Sequence, residues 1–325
     1  MKAIILSKYG DPSGLELMEI KKPVPKPNEI CVKIYAATVT AGDCEIRRFD
    51  IHPLFWLPLR LILGIFKPRS KILGGEFSGV IESVGDKVTT FNKGDPVFAA
   101  TMLRLGAYAE YICLPETYPI YRKPDTMTFP ESATLPTGGI NGLHLLKKGN
   151  VSNGSRLLLI GAGGSIGTYA LQIAKSLGAD VTAVDRKEKL EMLQRIGADY
   201  VIDYQKEDYT QNGQSYDVII DLAGKSSFSG CLKTLNKGGC YVLGNPSTAG
   251  MIRGLWTSLT TDKKVFFEFA PYKKEYFEQL IQLAHDDLIK PVIDRTFTLE
   301  QIPQAHQYVE IGMKSGNVII QLADY

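Results

Sequence analysis

The chain has 325 residues, 44% of them hydrophobic, which is enough for about two domains at roughly 150 residues each. It carries 37 basic and 35 acidic side chains, and a formal net charge of +2 creates no long-range field for nucleic acid or an anionic membrane. We therefore expect neither as a partner. The five cysteines are scattered and include no C-x-x-C pair, which argues against a disulfide framework and a clustered zinc site.

The N-terminus and the longest apolar run both favour a cytoplasmic protein. The chain turns polar directly after Leu6, without the long apolar core of a signal peptide. The run Phe55–Phe66 contains Pro58 and Arg60 and is shorter than the roughly 20 apolar residues that cross a bilayer.

The first 122 residues are rich in short apolar or alternating runs separated by Gly, Pro, Asp and Asn, which is typical of strands and turns. The predicted strands are Met1–Leu6, Leu15–Ile20, Ile30–Ala37, Gly74–Val84, Asp95–Ala99 and Ala107–Leu114. The tail, Val292–Tyr325, supplies a strand VIDRTF, a helix Leu299–Ile311 and a last strand Asn317–Leu322. We expect this tail to return to the first domain.

From about residue 123, strands alternate with helices of ten or so residues. The predicted strands are Ser155–Gly161, Asp180–Asp185, Val201–Asp203, Tyr216–Leu222, Gly239–Leu243 and Lys264–Phe269. The predicted helices are Pro130–Lys148, Thr168–Leu177, Lys187–Ile196, Phe228–Leu235 and Lys274–His285. This alternation predicts an α/β fold with a doubly wound parallel sheet of the Rossmann type over 123–288. The β domain is then 1–122, completed by 289–325.

A glycine-rich turn follows the most apolar of these strands. Its register is Ala162-x-Gly164-x-x-Gly167, within the sequence LLLIGAGGSIG. Gly164 would let the backbone approach a pyrophosphate, Gly167 would let helix and strand pack closely, and the helix N-terminus would attract the phosphates. Its place between a buried strand and an amphipathic helix favours a dinucleotide site over a tight turn that binds nothing.

Asp185 ends the second strand of this domain, 18 residues after Gly167. An acidic group at about this distance accepts hydrogen bonds from the adenosine ribose and repels a 2′-phosphate, which favours NAD(H). The basic residues Arg186, Lys187 and Lys189 follow directly and would neutralise such a phosphate. In the alternative interpretation, Asp185 only caps the next helix.

Several further segments, in this order, resemble one known family. They include VKIYAATVTAGDCEIRR, ILGGEFSGVIESVGDKVTTFNKGDPVFA, GAYAEYICLPE, ATLPTGGINGLHLL, GADYVIDY, YDVIIDLAG, LNKGGCYVLGN and SGNVIIQL. With the glycine turn, the chain resembles the medium-chain dehydrogenase/reductase superfamily over essentially its whole length, in the zinc-independent, quinone-oxidoreductase-like branch.

The resemblance implies an N-terminal GroES-like β-barrel domain, a Rossmann domain, and NADP(H) or NAD(H) bound between them, with Asp185 favouring NAD(H). The cofactor contacts that it implies are Thr137, Gly163, Gly164, Ser165, Ile166, Gly167, Asp185, Arg186, Tyr204, Ala223 and Asn245. Two of these have an alternative interpretation: Tyr204 as an ordinary core tyrosine, and Asn245 as part of a turn before Pro246.

The positions of the zinc ligands in zinc-dependent relatives predict that this chain binds no zinc. Thr40 stands where those relatives carry Cys, Gly75 stands where they carry His before the residue matching Glu76, and the third ligand falls near Pro136-Thr137. Without a Lewis acid, reduction of an already activated acceptor is the favoured chemistry.

The weak catalytic candidates are Thr40, which could hydrogen-bond a substrate carbonyl, and Asp43, which is more often structural in such loops. Phe55, Trp56 and Tyr108 are candidates for the wall of an apolar substrate pocket. In the alternative interpretation, Phe55 and Trp56 lie on a helix over 52–66 that packs into a domain or subunit interface. The alternative for Tyr108 is a core tyrosine at the start of a strand. Relatives often carry Asn at Thr40 and Lys at Asn317, and these departures put the activity or its substrate in question.

We therefore predict an oxidoreductase that transfers a hydride from NAD(P)H to a quinone or an α,β-unsaturated carbonyl. A zinc-free aldehyde or ketone reductase and a non-catalytic NAD(P)H-binding sensor or structural protein remain as alternatives, because one fold hosts many functions. The resemblance also implies a homodimer formed through the edge strand Lys264–Phe269.

Overall fold

The structure, a computed structural model, describes residues 1–323 and divides into two compact units. One unit contains residues 1–137 and the tail from Ile293, and the other is Gly138–Val292. The first division therefore lies after Thr137 rather than after residue 122. The helix Phe129–Ala133 packs on strands of the first unit, where the Ser78 hydroxyl donates to the Phe129 carbonyl oxygen at 2.5 Å.

The first unit is built on antiparallel sheets. Its strands are β1 (Lys2–Leu6), β2 (Leu15–Glu19), β3 (Glu29–Val39), β4 (Glu76–Val84), β5 (Pro96–Ala100), β6 (Tyr111–Pro115), β7 (Ile120–Arg122), β14 (Ile293–Thr298) and β15 (Asn317–Gln321). The main sheet has the order β14-β15-β3-β4-β5-β7, with β6 also paired to β3, while β1 and β2 form a hairpin. The C-terminal tail thus completes the sheet of the first unit.

Apolar side chains of these strands meet in one core, to which Ile4, Ile30, Val32, Phe77 and Ile320 contribute. The apolar residues that alternate along the predicted strands are therefore the ones that point into this core. The predicted strand Ala107–Leu114 is shorter at its start in the structure, where the strand is Tyr111–Pro115.

Two helices of the first unit follow β3: the first was not predicted, and the second lies in the run 52–66, for which a helix was one of the two interpretations. Helix α1 (Ala41–Arg48) follows β3, and helix α2 (Pro53–Leu63) follows α1. In the tail, the predicted helix Leu299–Ile311 is a 3₁₀ turn, Leu299–Gln301, followed by α10 (Ile302–Glu310).

The predicted helix Pro130–Lys148 is broken in the structure. It consists of α3 (Phe129–Ala133), a π-helical turn (Leu135–Gly139) and α4 (Ile140–Lys148). Pro136 cannot donate a helical hydrogen bond, which accounts for the interruption. Gly138 then packs so closely that a Cβ atom there would lie 2.6 Å from the Tyr169 ring.

The second unit is a six-stranded parallel sheet in the order β10-β9-β8-β11-β12-β13. Its strands are β8 (Arg156–Ile160), β9 (Asp180–Asp185), β10 (Tyr200–Asp203), β11 (Tyr216–Asp221), β12 (Leu235–Leu243) and β13 (Lys264–Phe266). Its further helices are α5 (Ser165–Ser176), α6 (Lys187–Arg195), α7 (Phe228–Thr234), α8 (Thr248–Thr260) and α9 (Lys274–His285). Helix α8 is an addition to the predicted elements.

Numbered within the unit, the strand order is 3-2-1-4-5-6, that of a Rossmann fold. The sheet order reverses between β8 and β11, and ligands of such sheets bind beyond the carboxyl ends of the strands at this point. Leu157, Leu158 and Leu159 of β8 are fully buried, as expected for a central parallel strand. In the part of the chain that the structure describes, no helix is long and apolar enough to cross a bilayer.

Candidate functional site

The glycine turn joins β8 to α5 at the point where the sheet order reverses. Strand β8 ends at Ile160, Gly161 adopts a φ of +77°, and Gly164 is the N-cap residue of α5. The first N–H groups of a helix have no acceptor within the helix, and together with the helix dipole they attract anions.

The two glycines of the fingerprint differ in what surrounds them. A Cβ atom at Gly167 would lie 2.4 Å from the Ala162 carbonyl oxygen, so the helix and the strand can pack only because a side chain is absent. A Cβ atom at Gly164 would meet only the Gly161 carbonyl oxygen, at 3.7 Å. Gly164 is therefore not required by packing within the unit, and its open side is where a phosphate has room to approach the backbone.

Asp185 is held inside this turn. Its Oδ2 accepts a hydrogen bond from the Gly163 N–H at 2.7 Å, and its Oδ1 accepts one from the Arg186 N–H at 2.8 Å. The Lys189 ammonium lies 3.5 Å from Oδ1, and both side chains are 8% exposed. The carboxylate therefore fixes the loop in addition to carrying charge beside it.

Arg186 and Tyr204 are brought together at the end of β9. The Arg186 Nε donates to the Tyr204 hydroxyl at 3.0 Å, and the tyrosine is 45% exposed. This exposure excludes the alternative that Tyr204 is a core tyrosine. A half-buried guanidinium and an exposed ring thus lie next to Asp185, the residue predicted to face the ribose.

Ala223 and Asn245 follow the carboxyl ends of neighbouring strands. The Ala223 and Gly224 N–H groups donate to Asp221 Oδ1 at 2.9 and 3.0 Å, which forms a tight turn after β11. A Cβ atom on Gly161 would lie 3.3 Å from the Ala223 nitrogen, so this turn adjoins the glycine turn. Asn245 lies beside Gly224, because a Cβ atom added to Gly224 would be 2.5 Å from the Asn245 carbonyl oxygen.

Thr40 and Asp43 form a capping box at the start of α1. The Thr40 Oγ1 accepts from the Asp43 N–H at 3.2 Å, and Asp43 Oδ2 accepts from the Thr40 N–H at 2.9 Å and from the Thr40 hydroxyl at 2.6 Å. Asp43 is 3% exposed, and burial raises its pKa, against hydrogen bonds from Thr40 and the backbone of Gly74 and Gly75. Asp43 is thus a capping residue, and the hydroxyl proton of Thr40 is already donated to it.

Glu76 is a buried carboxyl group that the sequence analysis did not select as a site residue. The Thr137 N–H donates to its Oε2 at 2.6 Å, and the Thr38 hydroxyl bonds its Oε1. Burial is the largest influence and raises the pKa of Glu76 to about 7, although these hydrogen bonds lower it. Thr137, a predicted cofactor contact, is therefore fixed through its backbone by Glu76.

The predicted pocket residues do not share one environment. Tyr108 is fully buried in the barrel core, 5.7 Å from the His306 ring, which favours the core role over a place in the wall of a substrate pocket. Trp56 is 44% exposed on α2 and packs edge-to-face on Phe49 at 5.9 Å. Phe55 is half-buried on the same helix, 5.9 Å from the His52 ring.

The positions where zinc-dependent relatives carry ligands hold no zinc donors. Thr40 and Thr137 are hydroxyl residues engaged with carboxylates, and Gly75 has no side chain. Within residues 1–323, no group of three or more His, Cys, Asp or Glu side chains is placed to hold a metal ion. Asn317, another departure from the pattern, is buried at the start of β15.

Family models match most of the chain in successive segments. Residues 26–125 match the alcohol dehydrogenase GroES-like domain, residues 135–224 the C-terminal domain of alanine dehydrogenase/PNT, and residues 196–320 a domain described as zinc-binding dehydrogenase. The last name describes the domain family, and the absence of zinc from this chain stays a prediction.

Full-length relatives agree with these matches. The bovine (Bos taurus) mitochondrial NAD(P)H oxidoreductase RTN4IP1 is 30% identical over 99% of this chain and 89% of its own length. An NAD-dependent alcohol dehydrogenase of Sulfurisphaera tokodaii is 31% identical over 95% of this chain and 96% of its own. The solved quinone oxidoreductase of Coxiella burnetii is 26% identical, with a TM-score of 0.88 and 99% of each chain covered.

The chain belongs to the medium-chain dehydrogenase/reductase superfamily. This confirms the predicted fold class, with a Rossmann-type sheet and a GroES-like domain, and the predicted oxidoreductase class. The comparisons also support a pyridine nucleotide as the cofactor. One relative is named as mitochondrial, so the cytoplasmic location stays a prediction.

Proposed function

We propose that this chain is a zinc-independent reductase that transfers a hydride from NAD(P)H to a quinone or an α,β-unsaturated carbonyl. The observation that carries the proposal is the open side of Gly164 at the N-terminus of α5, at the point where the Rossmann sheet order reverses. Gly164 leaves room beside the backbone, and the adjoining helix N-terminus attracts anions, so the two together fit a pyrophosphate.

The cofactor's adenosine end would meet two opposing charges. The Asp185 carboxylate disfavours a 2′-phosphate, whereas the half-buried Arg186 carries the positive charge that would bind one. Lys189 partly balances Asp185 but is itself buried. We propose a modest preference for NAD(H), with Tyr204 positioned by Arg186 at the adenosine.

The substrate side supports reduction of an acceptor that needs no metal. The bound nicotinamide supplies the hydride, and the protein's task is to orient the acceptor and exclude water. Thr40 has one hydroxyl proton, and Asp43 accepts it. We therefore propose that the proton reaches the reduced product from water rather than from Thr40 or Asp43.

A second enzyme activity has a specific observation in its favour. The Sulfurisphaera tokodaii relative is named an NAD-dependent alcohol dehydrogenase and is 31% identical over nearly the whole chain. Zinc-free reduction of aldehydes or ketones is therefore the alternative. It differs from the leading proposal in requiring activation of a carbonyl that is not conjugated to an alkene or ring.

A kinetic panel separates these activities. Stopped-flow absorbance would follow the oxidation of NADPH and of NADH with quinones, enones, aldehydes and ketones, and calorimetry would measure the binding of each nucleotide. We expect acceptor-dependent oxidation with quinones or enones and little with simple carbonyls. Oxidation by simple carbonyls alone would favour the alternative, and nucleotide binding without any turnover would contradict both reductase proposals.

A further inference from the structure

Cys31 and Cys113 face each other across two antiparallel strands of the first unit. They are direct partners in the register of β3 with β6, and both are buried. In the same register, the Ile34 N–H donates to the Glu110 carbonyl oxygen at 2.9 Å, which marks this as a hydrogen-bonding position of the two strands, although the Glu110 N–H donates to the Lys2 carbonyl oxygen. Because such pairs alternate, the cysteines occupy a non-hydrogen-bonded position, where Cα atoms are about 4.5 Å apart. This separation lies within the range of disulfides.

The two thiols lie on the face opposite the barrel core. Ile30, Val32, Ile112 and Leu114, their neighbours along the two strands, point into the core, and side chains alternate along a strand. The outer face is covered by residues 20–28, a segment without helix or strand that carries Pro23, Pro25 and Pro27. The Cys31 thiol donates to the Pro23 carbonyl oxygen at 4.0 Å.

We expect this cover to open more readily than the strands beneath it. Its backbone hydrogen bonds to other segments lie at its two ends, at Ile20 and at Pro27 and Asn28, and the Lys22–Glu82 ion pair also holds it. Segments with few such bonds open at low free-energy cost. A small oxidant can therefore reach the outer face of β3 and β6 during local opening, while Ile30 and Val32 stay packed in the core.

The two thiols are electrostatically unequal. A hydrogen bond from Cys113 is the largest influence on Cys31 and lowers its pKa; burial and the Glu82 carboxylate oppose it, Lys22 and Ser83 add to it, and the net effect is a lowered pKa. The same pairing, together with burial, raises the pKa of Cys113. Because the thiolate is the reactive form, Cys31 is the thiol that an oxidant attacks first.

The other three cysteines lack this combination. Burial raises the pKa of Cys44, and it raises those of Cys231 and Cys240 to about 11. A buried thiol that keeps its proton is chemically inert. None of the three is paired in register with a second cysteine in the strand pairings of residues 1–323.

We propose that Cys31 and Cys113 are a reversible oxidation site that forms an intrachain disulfide when hydrogen peroxide reaches the outer face of β3 and β6. The Cys31 thiolate attacks one peroxide oxygen, the O–O bond breaks, and Cys31 becomes a sulfenic acid as hydroxide leaves. The Cys113 sulfur then attacks the Cys31 sulfur, and the sulfenic oxygen leaves as water. Overall, two thiols lose two electrons and two protons, and one peroxide becomes two waters.

The test uses the full chain, reduced with dithiothreitol and freed of it. The protein is treated with a small excess of hydrogen peroxide, alkylated in denaturant, digested without reductant and mapped by mass spectrometry. We expect a peptide pair linked through Cys31 and Cys113, a fall from five titratable thiols to three, and reversal of both by dithiothreitol. Wild-type mapping requires no variant to fold.

Three variants sharpen the result. Cys31→Ser and Cys113→Ser should each abolish the linked peptides, whereas Cys240→Ser, which removes the most exposed of the five thiols, should leave them unchanged. Survival of all five wild-type thiols at this peroxide dose would overturn the proposal. Oxidation that falls first on Cys240, or that links two chains instead of Cys31 to Cys113, would overturn it too.

Discussion

The Oδ2 oxygen of Asp185 accepts a hydrogen bond from the N–H of Gly163 at 2.7 Å, so one carboxylate joins the end of β9 to the glycine turn after β8. A Cβ atom on Gly163 would lie 2.9 Å from that oxygen, which shows how tightly the two are packed. Asp185 also faces the buried ammonium of Lys189. The Asp185 carboxylate therefore both holds the glycine turn in place and puts a negative charge beside it.

Replacing Asp185 with Ser should shift cofactor preference towards NADPH. The change removes the negative charge that disfavours a 2′-phosphate, and it leaves the Lys189 ammonium without its partner. We expect the ratio of the Kd for NADH to the Kd for NADPH to rise on the order of tenfold, a change of about 1.4 kcal/mol. Isothermal titration calorimetry with both nucleotides measures it.

Asp185→Asn is the matched control, because its amide oxygen keeps an acceptor for the Gly163 N–H while the charge is lost. It should show a similar shift in preference with a smaller loss of thermal stability than Asp185→Ser. If both variants keep the wild-type ratio, Asp185 only stabilises the turn and does not face the ribose.

Gly164→Ser should weaken nucleotide binding without unfolding the protein. Serine is a favoured N-cap residue, and a Cβ atom at this position meets nothing closer than 3.7 Å. Its hydroxyl would accept from the helix N–H groups that a phosphate would otherwise occupy. We expect the Kd for either nucleotide to rise at least about tenfold, with Tm unchanged within roughly 2 °C.

Gly167→Ala, in contrast, should lower the stability of the protein. Its Cβ atom would lie 2.4 Å from the Ala162 carbonyl oxygen, so the backbone must shift. Overpacking of this kind costs about 1–3 kcal/mol, which chemical denaturation would detect. A Gly164→Ser protein that binds nucleotide as the wild type does would show that the open side of the turn is not the phosphate site.

The Rossmann unit was predictable because its signals are local. A continuous apolar strand, a glycine turn and an amphipathic helix lie next to each other in the chain, so β8, the turn and α5 follow from the sequence with only small errors at their ends. The contact between Arg186 and Tyr204 follows for the same reason, because it arises from the pairing of two predicted strands, whereas their role in binding a cofactor stays a prediction.

Contacts between distant segments were not predictable. Glu76 meets Thr137 across 61 positions of sequence, and nothing in the composition of either segment indicates the contact. The sequence left both a pocket role and a core role open for Tyr108, because a strand pattern does not show which face is the core. Helix α1, in contrast, did carry a signal that could have found it: Thr40 and Asp43 have capping-box spacing, and basic residues occupy the last turn.

We predict that the protein is a dimer that associates through the edge strand β13. It is the last strand of the parallel sheet, so one side of its backbone is not paired within the sheet. Helix α8 packs beside it and exposes Ile252, Leu255, Trp256 and Leu259 at helical spacing. We expect sedimentation equilibrium at micromolar concentration to give twice the 35.9 kDa chain mass, and Trp256→Glu with Leu259→Glu to weaken association. A monomeric wild-type protein would refute the dimer.

The raised pKa of Glu76 leads us to predict that the free energy of unfolding falls as the pH rises. Its folded pKa of about 7 lies above its ordinary value of 4.5, so between these values the folded chain holds a proton that the unfolded chain has lost. The stabilisation is complete below pH 4.5 and is lost as the pH rises through 7, a total on the order of 3 kcal/mol. Glu76→Gln mimics the protonated acid and keeps partners for Thr38 and the Thr137 N–H.

The variant should therefore lack this decline and should unfold at a higher temperature than the wild type at pH 8. Thermal unfolding of both proteins from pH 5 to pH 8 tests it, with the exposed Glu16→Gln as a control that should follow the wild type. Parallel profiles for Glu76→Gln and the wild type would mean that Glu76 is ionised in the folded protein throughout this range. The contact with Thr137 would then be that of a charged carboxylate, and burial would not govern the protonation of Glu76.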